Sequence, residues 1–158
     1  MASRLHHGAE AGSEPAEWLK PPTPSSTIIL VFTEADVAAL RHPMQQIHDA
    51  WPMAGTLLVR DAARFRANWL SSRPDSSCAR TENRSRPAAL LREIARNAIL
   101  IVINTDTGRP LDWLGSVFGH IVLETFVAPD ISDETLAAIL MRQTQIALTH
   151  SLRHMTLI

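Results

Sequence analysis

The chain has 158 residues and a mass of 17.5 kDa, the size of one ordinary domain. Hydrophobic residues make up 46% of it and charged residues 20%, which excludes wholesale disorder. Fifteen basic and 16 acidic residues leave a net charge of −1, so no charged surface points to nucleic acid. Apolar runs such as residues 98–103 fall far short of the roughly 20 residues of a membrane span. No basic-then-apolar leader opens the chain, and the single Cys78 cannot form an internal disulfide. Both features lead to the expectation of a cytoplasmic protein.

Residues 1–26 are rich in Ala, Gly, Ser, Glu and Pro and show no sustained period, so they read as a disordered tail or linker. Pro21, Pro22 and Pro24 exclude helix there. Trp18 and Leu19 are its one apolar pair, either a weak docking element or a short anchor for a partner. The ordered domain is expected over residues 27–158. It opens with an apolar, β-branched run at 27–32, a strand buried on both faces as in a parallel sheet flanked by helices. Val37, Leu40, Met44, Ile47 and Trp51 then recur at helical spacing. Pro43 interrupts that stripe, so the helix either kinks or begins there.

A second strand is expected at residues 56–59 and a helix at 62–70, with Phe65 and Trp69 on one face. Residues 71–86 offer almost nothing to bury and read as a long exposed loop. Pro87 suits the first position of a helix carrying Leu90, Leu91, Ile94, Ala95 and Ala98. The strongest strand of the chain follows at 99–103. Pro110 opens a short helix with Leu111, Leu114 and Phe118 on its apolar side, which Gly119 can terminate. A fourth strand is expected at 121–127, and Ser132 caps a last helix running to about residue 150. This alternation predicts an α/β three-layer sandwich with a flavodoxin- or receiver-like parallel sheet, one strand being missing or irregular.

The turns after the first and third expected strands read Thr33-Glu34-Ala35-Asp36 and Asn104-Thr105-Asp106-Thr107-Gly108, and neither is a phosphate-binding glycine loop. A phosphorylatable receiver would need acidic residues after the first strand, an acceptor Asp at the end of a middle strand, a hydroxyl and a lysine. Glu34, Asp36, Asp61 and Thr105 are the available types, whereas the expected lysine position falls in Phe126-Val127-Ala128-Pro129. His150 and His154 are four apart without a third ligand or a metalloprotease glutamate, and read as polar residues near a helix end. Cys78 lies beside Arg80 with no partner histidine to place. No catalytic set and no metal site emerge, and no cofactor is expected. Arg109 and Asp112 form an Arg-x-x-Asp pair, able in principle to grip a guanine nucleotide.

Residues 27–32, the helix through Gln45 and Ile47, Gly55-Thr56-Leu57-Leu58-Val59-Arg60 and Phe65-Arg66-Ala67 resemble the receiver-like middle domain of the bacterial cellulose biosynthesis regulator E (BcsE) family. Residues 98–103, Gly108-Arg109-Pro110-Leu111-Asp112-Trp113-Leu114 and 128–136 are similar to it as well. The likeness covers about residues 18–142 through element order and scattered identities. It implies a degenerate, non-phosphorylated receiver that is not an enzyme. Such a module regulates or assembles a bacterial exopolysaccharide system of the cellulose type by protein–protein contacts, at the inner membrane through its partners. Cyclic di-GMP is a further implied partner, and a homo-oligomer is a separate expectation. Family members bind the dinucleotide mainly through a following domain, and the receiver-like domain can add an Arg-x-x-Asp element after its second strand. Here that element reads Arg66-Ala67-Asn68-Trp69, with Trp69 in place of the acid. Arg66, Arg109 and Asp112 are therefore the candidate ligand contacts. The alternatives are a true phospho-receiver, with Asp61 as acceptor, or a small nucleotide-dependent α/β enzyme working at the carboxyl edge of the strands.

Overall fold

The computed structural model describes residues 14–72, 85–105, 108–128 and 130–155, with His154 and Met155 described by backbone only. Its elements run β1 (Ala16–Lys20), β2 (Ile28–Thr33), α1 (Val37–Ala50), β3 (Gly55–Val59), α2 (Ala62–Ser71), α3 (Arg86–Leu91), β4 (Ile99–Asn104), α4 (Gly115–Phe118), β5 (Ile121–Phe126) and α5 (Asp133–Met155). Short 3-10 turns precede α1, at Glu34–Asp36, and α4, at Asp112–Leu114.

β2 and β4 carry the apolar runs and lie side by side in the middle of one five-stranded sheet of order β1-β3-β2-β4-β5. Four strands are parallel and β1 is antiparallel to β3. Both faces of the central strands are covered, which is why their sequences do not alternate. Ile28, Leu30, Phe32, Ile99, Ile101 and Ile103 face α1 and α5, where Leu40, Ile47, Leu136 and Leu140 complete one core. Ile29, Val31, Leu100 and Val102 face the other way, onto Phe65, Leu90, Leu91 and Leu114. This is a flavodoxin-like three-layer sandwich with an irregular strand, as expected. The irregularity has two parts: an added antiparallel strand beside β3, and β5 as the last strand on the opposite side.

Several local expectations are corrected. Residues 16–20 are a strand, not part of a tail; the earlier residues 1–13 lie outside the described ones. Backbone pairing to β3 orders this segment, and Trp18 packs against the core that contains Phe65. The expected loop 71–86 is shorter at both ends. Ser71 closes α2, and the buried Ser85 caps α3 by accepting from the Ala88 amide at 3.2 Å. Residues 73–84, Cys78 and Arg80 among them, lie outside the described residues. α3 ends at Leu91 and not near Ala98, although Ile94 and Ala98 are still buried in the irregular segment that follows. α1 runs through Pro43, which is buried within it, so Pro43 neither starts nor ends the helix. Phe118 stands outside the core at 45% exposure. β5 stops at Phe126, while α5 continues five residues beyond the expected end. Gly119 does terminate α4, in the left-handed conformation (φ 76°) that glycine adopts without a steric penalty.

Candidate functional site

In open α/β sheets, ligands bind outside the carboxyl ends of the strands, where the winding direction reverses. Here β2 leads through α1 to β3 on one side, and the chain then returns to β4 on the other. The switch point therefore lies between the ends of β2 and β4. The 3-10 turn at Glu34–Asp36 folds Asp36 back over it, leaving that carboxylate only 3% exposed. Its Oδ2 accepts from the Thr33 hydroxyl at 2.9 Å and its Oδ1 from the Thr105 hydroxyl at 2.6 Å. A buried carboxylate is costly unless such donors replace its water, and these two hydroxyls also tie the ends of β2 and β4 together.

Around this network the charges are paired. Arg60, just after β3, bridges Glu17 of β1 and Glu34 of the 3-10 turn. Its guanidinium is held above the ordinary range chiefly by the hydrogen bond to Glu17. Arg109 sits in the left-handed region (φ 49°) and donates from Nε and Nη2 to both oxygens of Glu124, each at 2.7 Å. The hydrogen bond to Glu124 raises Arg109 most, and the nearby Asp112 adds to it. Glu124 is a β5 residue with a side chain only 12% exposed, so it needs this partner.

One side chain at this rim stands apart. Asn104, the last residue of β4, is 2% exposed, and neither its Oδ1 nor its Nδ2 has a hydrogen-bond partner among the described residues. Thr125, opposite Ile103 in the sheet register, has a buried hydroxyl in the same condition. An amide recognises polar groups as donor and acceptor. It is neither a nucleophile nor a phosphoryl acceptor.

The residues singled out in the sequence separate into distinct places. Arg66 is exposed on α2. Asp112 is exposed at the start of the 3-10 turn, and the ring contact of Phe65 with Trp113 (5.6 Å between centroids) joins their two segments. Arg66 and Asp112 are thus each one residue from that contact, while Arg109 is already engaged by Glu124. Asp61 caps α2, accepting from the Arg64 amide at 2.8 Å. His150 lies on the exposed side of α5, and the side chain of His154 is outside the described ones, as are His6, His7, Asp106 and Thr107. Among the described residues, no group of three or more His, Cys, Asp or Glu is placed to hold a metal ion. Sequence reading missed Arg60, Asn104 and Glu124. The only available signal was a polar residue interrupting or ending an apolar run.

Compared with known proteins, the chain matches no family model, no curated protein and no solved structure. No helix among the described residues is long and apolar enough to cross a membrane.

Proposed function

We propose that this chain is a non-catalytic, receiver-like module that regulates or assembles a bacterial exopolysaccharide system of the cellulose type through protein–protein contacts, in the cytoplasm beside the inner membrane. One observation carries the non-phosphorylated part of this reading. β4 is a middle strand whose end would bear the acceptor carboxylate of a phospho-receiver, and the residue there is Asn104. Asp61, the acceptor candidate from sequence, is occupied as a helix cap at the end of the flanking β3. Asp36, a buried acid near the same rim, is bound by two hydroxyls. The assignment to a cellulose-type system rests on the sequence resemblance alone. Cyclic di-GMP belongs to the proposal through Arg66, Arg109 and Asp112; Arg109 already holds Glu124 through Nε and Nη2, and such a ligand would compete with that pair or use the remaining donors.

The test has three arms. Incubation with radiolabelled acetyl phosphate is expected to leave the protein unlabelled, and stable labelling would refute the non-phosphorylated reading. Cross-linking of the tagged chain in a cellulose-secreting bacterium is expected to recover synthase-complex subunits; their absence refutes the assembly role. Calorimetric titration with cyclic di-GMP, beside Arg66→Ala and Arg109→Ala, decides the ligand. Micromolar binding lost in either variant supports sensing at this rim, and a flat titration removes it.

A further inference from the structure

The opposite rim, at the amino ends of the parallel strands, holds two cavities that the network above does not reach. One of about 370 Å³ is lined by Leu91, Arg92, Ile94, Arg96, Phe118 and His120. The other, of about 190 Å³, is lined in part by Arg96, Asn97, Gly119, Ile121 and Ser151. Arg96 is exposed and common to both. The segment 119–121 runs between them, and a close backbone approach places it: a Cβ on Gly115 would meet the His120 carbonyl oxygen at 2.9 Å.

Two buried polar side chains line these cavities with one atom each that has no hydrogen-bond partner among the described residues. His120 is 5% exposed; the backbone of Ala98 and Leu91 lies against its ring, and its Nδ1 has no well-formed hydrogen bond among the described residues. The half-buried imidazole of His48, by contrast, has the Thr56 hydroxyl 2.7 Å from its Nε2. Ser151 on α5 is also 5% exposed with an unpartnered hydroxyl. Helix hydroxyls ordinarily donate to the carbonyl four residues back. Thr144 and Thr149 of the same helix do so, to Leu140 at 2.8 Å and Gln145 at 2.9 Å. Ser151 does not. Buried polar groups left open in this way call for a further partner, a water or a ligand group.

We propose that this rim binds a small organic oxyanion, a carboxylate or phosphate ester carrying a flat apolar body. Arg96 supplies the charge and the forked donors that such a group accepts from. Ser151 and Asn97 supply neutral polar contacts. His120 accepts from a ligand hydroxyl or, when protonated, donates to the oxyanion. Leu91, Ile94 and Phe118 cover the apolar body; the Phe118 ring stands edge-on to His120 with centroids 6.5 Å apart. The larger cavity falls in the range of roughly 300–1,000 Å³ usual for small-molecule sites. The site is independent of the interaction reading above and lies at the other end of the strands from Asp36.

The experiment titrates the purified full chain with phenyl phosphate, phenylacetate and the neutral benzyl alcohol, following the histidine ring signals by NMR. At least one anion is expected to shift the His120 ring saturably while His48 stays still. Arg96→Gln is expected to weaken that binding about tenfold or more, the loss of one charge-assisted contact. Arg41→Gln, an exposed arginine on α1, is expected to leave it unchanged. Circular dichroism confirms that each variant folds. A response to phenyl phosphate alone supports a phosphate-ester site, and a response to phenylacetate alone supports a carboxylate site. The proposal is overturned by no His120 shift with either anion, by equal saturation with benzyl alcohol, or by undiminished binding in Arg96→Gln.

Discussion

The two edges of the sheet are built on opposite plans. β1 is short and antiparallel, has an irregular register between Trp18 and Lys20, and is flanked by Pro15 and Pro21. Its Glu17 is tied to Arg60, and Lys20 donates to the Pro52 carbonyl at 2.5 Å. These are the devices by which proteins keep an edge from pairing with another chain. β5 is parallel, six residues long, and has no proline, lysine or bulge. Its one charge, Glu124, is neutralised by Arg109 within the same chain, and Ile121 and Phe126 are about half exposed. Among the described residues β5 has a neighbour on one side only. One edge is blunted by these devices, and the other presents a strand unpaired on one side among the described residues.

Both edges rest on the same core, and the largest effect removes that support. Phe65 is fully buried in the cluster against which Trp18 of β1 and Val122 of β5 both pack. Phe65→Ala is expected to cost about 3–5 kcal/mol in urea unfolding and to speed amide exchange in both edge strands. A change confined to one edge would contradict a shared core. Next, Trp18→Ala is expected to lose about 2 kcal/mol, because its ring covers the core despite its position on an edge. Phe126→Ala should stay within about 0.5 kcal/mol of the parent, since half of that side chain is already in water. Equal losses at the two positions would erase the distinction.

Acidification affects one histidine near each edge. Burial lowers both His48, which is further lowered by Lys20, and His120, for which burial is likewise the leading cause. The folded chain therefore binds these protons less readily than the unfolded chain. As pH falls through the ordinary imidazole range near about 6.5, the unfolded state takes up protons first, and stability declines until the folded-state values are passed. A fall of a few degrees in Tm between neutral pH and about pH 5.5 is expected. His48→Gln and His120→Gln should each flatten part of that slope; an unchanged slope in both would assign it to other groups. The smallest effect concerns solubility. Phe126→Lys is expected to leave Tm nearly unchanged and to lower light scattering at high protein concentration. Unchanged scattering would show that β5 is not the adhesive edge.

Much of the fold was legible because it is repetitive. The run 99–103 has no polar residue, the spacing of Leu40, Met44 and Ile47 is helical, and Pro87 and Gly119 mark helix boundaries by their own backbone chemistry. β1 was not legible. Five residues with one apolar pair, set between prolines, carry too little periodicity to distinguish a strand from a tail, and it is β3 that orders them. The same limit hid the candidate site. Asp36 and Thr105 are 69 positions apart in the chain and 2.6 Å apart in space, and Glu124 meets Arg109 only because β5 lies beside β4.

The sequence by itself determined the alternation of strands and helices, the double burial of β2 and β4, and the lack of a glycine phosphate loop. Each of these depends on side-chain type and short-range spacing. Only the tertiary structure decided which strands stand at the edges, which carboxylates are paired, and that Asn104, His120 and Ser151 are buried with open hydrogen-bonding atoms. Those properties depend on contacts between residues far apart in the chain, and the strand order that brings them together is set by how the whole core packs.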